Sequence, residues 1–189
     1  MASKFRNSTW LKSNGFAPQV FLFRNVMSGQ VVYSQMPHVS AYLMRQQWRQ
    51  PNKENPLPDT RHDLWRPLAV AQFESYDAAI KAFHNLVELR YLRDIKRRQE
   101  AQQLRKKDSN GRIWKSGHYR PTYTMEATAD LSTALDITKD KSVKVFWDGL
   151  WWRGDESSWS GKVSHLDMKR FGTREKFVVL DELRAGALQ

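Results

Sequence analysis

YDAAIKAFHNLVELRYLRDIKRRQEAQQLRKK, Tyr76 to Lys107, contains neither Gly nor Pro and consists mostly of good helix formers. It reads as one long helix, with Ser75 standing where an N-cap belongs. Its first half carries Ile80, Phe83, Val87 and Tyr91 at helical spacing, an apolar stripe suited to packing on a sheet. Its second half is basic. The fold therefore turns on what the first half covers, and the function on what the second half faces.

Upstream, Val20-Phe21-Leu22-Phe23 and Val31-Val32-Tyr33 are dense in β-branched and aromatic residues, and Asn25 to Gly29 between them has turn chemistry. A β-hairpin is expected. A short amphipathic helix follows over Val39 to Trp48, then a loop marked by Pro51, Pro56 and Pro58. Leu68 to Phe73 reads as a third, buried strand. The order β-β-α-β-α predicts an α+β fold: a small, mostly antiparallel sheet, a long basic helix and extended arms. Downstream, Glu126 to Leu135 reads as a second helix and Val143 to Phe146 as a short strand. Trp147, Trp151, Trp152 and Trp159 then crowd into a Gly- and Ser-containing loop, where they either cap the small core or dock into neighbouring proteins. Phe177 to Leu180 reads as a short strand or the start of a helical tail. The expected organisation is a basic arm at 1–18 and an α/β core with the long helix at 19–107. A basic aromatic loop at 108–125 and a C-terminal helix with a Trp-rich extension at 126–189 complete it.

From Arg90 to Arg120 the chain carries Arg90, Arg93, Lys96, Arg97, Arg98, Arg105, Lys106, Lys107, Arg112, Lys115 and Arg120. Only Asp94, Glu100 and Asp108 oppose them. Asp108-Ser109-Asn110-Gly111 supplies a turn, after which Trp114, Tyr119 and Tyr123 alternate with basic residues. Charge runs are usually solvated faces. Here Arg90, Arg93 and Arg97 share one helix face with little local acid to pair with, and Lys96, Arg97 and Arg98 repel one another. Arginine also outnumbers lysine, which favours bidentate contact with phosphate. All eleven cations, with Trp114, Tyr119 and Tyr123, form the candidate nucleic-acid-binding set, and RNA is the expected polyanion. The three aromatics either stack on bases or anchor the segment to protein.

Composition sets further bounds. The 189 residues include no cysteine, which excludes disulfides, thiolate zinc sites and a cysteine nucleophile. A sequence pI near 10.0 and a formal net charge of +11 call for a polyanionic partner. A mean hydropathy of −0.70 argues against a membrane span. Met1 to Lys53 contains no Asp or Glu, which suits either a mitochondrial import segment or a basic arm on nucleic acid.

Catalytic signals are weak. His38, His62, His84, His118 and His165 show no metal-ligand spacing, and neither GxxxxGK[ST] nor GxGxxG occurs. No metal site or cofactor is expected. The hairpin followed by Arg45 on the next helix loosely resembles the opening of the GIY-YIG nuclease domain. Ser34 follows Val32-Tyr33 where such enzymes need glycine, and the region around Glu74 and Glu88 is poor in the carboxylates that hold a divalent cation. The chain reads as a binding protein rather than an enzyme.

Four central blocks carry a stronger resemblance: LRYLRD (Leu89 to Asp94), LRKKDSNG (Leu104 to Gly111), SGHYRPTY (Ser116 to Tyr123) and EATADL (Glu126 to Leu131). With QVFLFRN (Gln19 to Asn25), GQVVYSQ (Gly29 to Gln35), DLW (Asp63 to Trp65) and, more loosely, WDGLWWRGD (Trp147 to Asp155), they resemble the fungal mitochondrial homologous recombination protein family. Members of that family are also counted among large-subunit proteins of the fungal mitochondrial ribosome. The resemblance implies a structural ribosomal protein that binds large-subunit rRNA and neighbouring mitochondrial ribosomal proteins. Its alternative is a factor that binds mitochondrial DNA and promotes homologous pairing and transcription. Either implies the mitochondrial matrix, with a nuclear pool as a further expectation of the second.

Overall fold

The computed structural model describes residues 5–53, 55–111, 113, 122–139 and 142–189. Its centre is a five-stranded sheet in the order β2-β1-β3-β4-β5. The strands are β1 (Gln19–Asn25), β2 (Val31–Ser34), β3 (Trp65–Phe73), β4 (Val143–Trp147) and β5 (Val163–Asp167). All neighbours run antiparallel except β4 and β5, which are parallel. The α+β class and the mostly antiparallel sheet expected from sequence are both present.

β1 and β3 are buried on both faces, which is why they read as unbroken apolar runs rather than alternating ones. Pro67 lacks an N–H, and the β1–β3 register shifts beside it, between Leu22 and Phe23. Helices cover both faces. On one side, α3 (Tyr76–Tyr91) and α5 (Thr122–Thr138) pack Phe83, Leu86, Leu131 and Leu135 over Val20, Leu22 and Trp147. On the other, α2 (Ala41–Gln47) and α6 (Lys176–Leu188) contribute Met44, Val179 and Leu180 to a core with Phe21, Phe23 and Trp65. α2 also lies along the β2 edge of the sheet.

Ser75 caps α3 as expected, its Oγ accepting from the Ala78 N–H at 3.2 Å. The buried face of α3 is Ala79, Ala82, Phe83, Leu86 and Arg90; of the expected stripe, only Phe83 is fully buried. The small alanines let the helix approach the sheet closely, and Ile80, Val87 and Tyr91 move to its flank.

The single helix expected to Lys107 is interrupted. Leu92–Lys96 forms a π turn, with the Arg97 N–H bonded to the Leu92 carbonyl at 2.7 Å, and Arg97 leaves helical geometry at φ −112°, ψ 34°. A separate short helix, α4 (Arg98–Leu104), follows. π turns are recognised causes of kinks. This one turns the chain back so that Arg105 reaches Asp94.

Residues 5–16, part of the expected basic arm, lie on the core: Phe5 meets Phe83 edge-on at 5.6 Å and α1 (Ser8–Ser13) buries Leu11. The Trp-rich stretch also folds inward. Trp147 and Trp152 are buried and Trp159 is half-buried against Trp147, while Trp151 stays half exposed. β5, unexpected from sequence, follows them. Phe177 to Leu180 belongs to α6. Among the described residues, no helix is long and apolar enough to cross a membrane.

Candidate nucleic-acid interface

The basic set divides by burial. Arg90 is only 5% exposed and is sandwiched between the rings of Tyr33, 4.3 Å away, and Trp48, 4.5 Å away. It donates to Gln47 Oε1 at 2.7 Å and to the Val31 carbonyl. Those bonds and its burial hold it at the β2 edge in a structural contact, away from the exposed surface.

Arg93 faces inward as well. Its Nη1 donates to Asp130 at 2.6 Å, and its Nε lies 3.2 Å from Glu126 and 3.5 Å from Asp94. Burial alone would depress the Arg93 guanidinium; Asp130, then Tyr33, Glu126 and Asp94 outweigh it and hold the group well above its ordinary range. Arg105 donates to Glu126 Oε1 at 2.7 Å and to Asp94 at 2.9 Å, with its guanidinium 5.4 Å above the Tyr123 ring. Tyr33, from β2, donates its hydroxyl to Asp130 at 2.7 Å, and burial, then the Asp130 charge, push that phenol far up. The result is a charged knot tying β2, the π turn and α5 together.

The expectation that the stripe of Arg90, Arg93 and Arg97 has little acid to pair with is therefore corrected for Arg93, and Arg105 beyond the stripe is paired as well. Glu126 and Asp130 supply the acid from far down the chain, one helical turn apart on α5. A count within the Arg90–Arg120 window could not see them. Their i, i+4 spacing in EATADL was the available signal. Tyr123 is likewise buried on α5 rather than carried in the expected loop.

The other cations among the described residues lie nearer the surface. Lys96, Arg97, Lys106 and Lys107 are exposed and Arg98 is half-buried. Among the described residues, Lys96, Arg97, Arg98 and Lys107 form no ion pair. Lys107 pairs with Ile113 through an isolated antiparallel bridge, and Gly111, at φ +71°, turns the chain between them. A groove of about 930 Å³ separates α4 from α5, with Leu92, Arg97, Leu104, Lys106 and Met125 along it. Arg112, Trp114, Lys115, Tyr119 and Arg120 lie outside the described residues.

Residues 17–100 match a family profile described as transcriptional regulation of mitochondrial recombination. Three relatives named large ribosomal subunit protein mL67 extend the likeness across the chain. That of Debaryomyces hansenii is 46% identical over 92% of this chain and 75% of its own. That of Kluyveromyces lactis is 44% identical over 94% and 85%. That of Candida albicans is 42% identical over 95% and 75%. The chain belongs to the mL67 family. The family profile ends at Glu100, inside α4, whereas the mL67 relatives cover more than nine-tenths of the chain and so carry the likeness well past that helix.

Proposed function

We propose that this protein is a structural component of the mitochondrial large ribosomal subunit and is held against rRNA by its outward-facing cations. The reading rests on relatives named large ribosomal subunit proteins that align with at least 92% of the chain. Lys96, Arg97, Arg98, Lys106 and Lys107 supply the phosphate contacts, continued by Arg112, Lys115 and Arg120 and by Trp114 and Tyr119 in the adjoining sequence. Arg90, Arg93 and Arg105 instead hold the scaffold that presents them. The partners are large-subunit rRNA and neighbouring ribosomal proteins, and the compartment is the mitochondrial matrix.

The role is one of binding rather than catalysis. Tyr33, which a nuclease would need in its active site, is buried and bonded to Asp130, and Arg45 is exposed on α2.

Sucrose-gradient sedimentation of mitochondrial lysate, with and without EDTA, tests this reading. Co-sedimentation with the large subunit in both conditions is expected. The family profile's description keeps DNA binding as the second reading. Release by DNase but not RNase, with the protein remaining at the top of both gradients, would favour it.

A further inference from the structure

We infer that a cleft between α5 and the tryptophan loop receives one unstacked nucleobase of single-stranded RNA. This rests on the rRNA-binding reading and extends it to a site distinct from the basic residues.

The cleft has a volume of about 210 Å³. Ala129 and Ser132 of α5 line one side; Trp152, Asp155, Ser158 and Trp159 line the other. Both indoles are fixed before any ligand arrives. The Arg24 guanidinium, itself 3.5 Å from Asp148, lies 4.7 Å over the Trp152 ring. Trp159 donates Nε1–H to the Arg153 carbonyl at 2.9 Å and stands edge-on to Trp147 at 5.7 Å. The loop is pinned to α5 by the Thr128 hydroxyl on the Trp152 carbonyl, at 3.2 Å, and the Ser132 hydroxyl on the Ser158 carbonyl, at 2.6 Å. A flat guest entering such a site loses its own freedom but need not order the host.

The rim chemistry selects the guest. The Asp155 carboxylate, whose Oδ1 already accepts from the Ser157 N–H at 3.1 Å, and the Ser158 hydroxyl bring acceptor oxygens with several lone pairs to the amino or imino edge of a base. Arg153 also lines the cleft, and its pair with the exposed Glu156, at 3.1 Å, is weak enough to yield to a backbone phosphate. An aliphatic protein side chain would use the walls but neither rim group.

Position supports the same guest. Met125 borders both this cleft and the groove that holds Arg97 and Lys106. Met125, Ala129 and Ser132 follow one stripe of α5, and seven helical residues rise about 10 Å, a span of one to two nucleotides. A strand lying against the exposed cations thus reaches the cleft without a detour.

Fluorescence anisotropy of the full chain with labelled RNA hexamers, each of a single base type, and with a fully paired hairpin stem tests the inference. Ala129→Phe, at an exposed α5 position, should fill the cleft and weaken hexamer binding on the order of tenfold, the loss of about one base stack. Stem binding should not change. Hexamers bearing 4-thiouridine should crosslink to Trp152 or Trp159. If Ala129→Phe is poorly folded by circular dichroism, Asp155→Ala serves instead and should narrow the preference among base types. Unchanged hexamer binding with crosslinks confined to residues 96–107 would overturn the cleft while leaving the rRNA reading intact. Failure of the unmodified protein to bind either RNA would overturn both.

Discussion

Arg93 places Nη1 2.6 Å from both carboxylate oxygens of Asp130, joining the π turn to α5 across 37 positions of sequence. Asp130 is itself buried and also accepts from Tyr33. The contact makes Arg93 a structural residue in a segment whose charge suggests a purely functional one.

Arg93→Glu should therefore destabilise the fold by on the order of 3 kcal/mol, because it removes one partner of a buried pair and sets like charges together. Arg97→Glu, at an exposed position, should change stability by less than about 0.5 kcal/mol. Urea unfolding of the two variants checks this. Equal midpoints would show that the charged knot contributes little.

Lys96, Arg97 and Lys107 replaced together by Glu should leave the midpoint near that of the native protein and weaken RNA binding. Each lost phosphate contact should lower the slope of log K against log salt by about 0.7 on single strands. Titrations at several salt concentrations measure it. An unchanged slope would mean these cations are a solvated surface.

Gln47 closes the β2 edge in place of another strand. Its Oε1 accepts from the Tyr33 N–H at 3.0 Å and its Nε2 donates to the Tyr33 carbonyl at 2.7 Å. Gln47→Leu should cost about 2 kcal/mol by stranding those groups and an Arg90 donor. It should also bare a strand edge and promote self-association. Unfolding curves and size-exclusion chromatography report the two effects separately.

Acidification should weaken the fold through His165. Its Nδ1 accepts from Trp147 Nε1–H at 3.0 Å, a bond that requires that nitrogen to be unprotonated. Burial, then the Arg153 charge, hold His165 below the usual imidazole range. The unfolded chain consequently takes up a proton near pH 6.5 that the folded chain refuses, so stability falls as pH drops through that region. His165→Gln should show a smaller fall in urea midpoint between about pH 7.5 and pH 5.5. Some dependence should persist, because His38 is also held low, by burial and then by His62.

By itself the sequence determined the hairpin, the central strand β3, the capped start of α3 and the α+β class. These rest on local signals: runs of apolar residues, turn residues and side-chain caps are written within a few positions of the structure they cause. It also located the cations. Only the tertiary structure decided which of them are available. Arg90 is claimed by Gln47, Arg93 by Asp130 and Arg105 by Glu126, while Arg97 and Lys107 are left facing solvent. Those partners come from 21 to 43 positions away, beyond the reach of any window count. The break at Arg97 was hidden for a related reason. Helix propensity favours continuation there, and the long-range pairs of Arg93 with Asp130 and Arg105 with Glu126 override a preference worth tenths of a kcal/mol per residue.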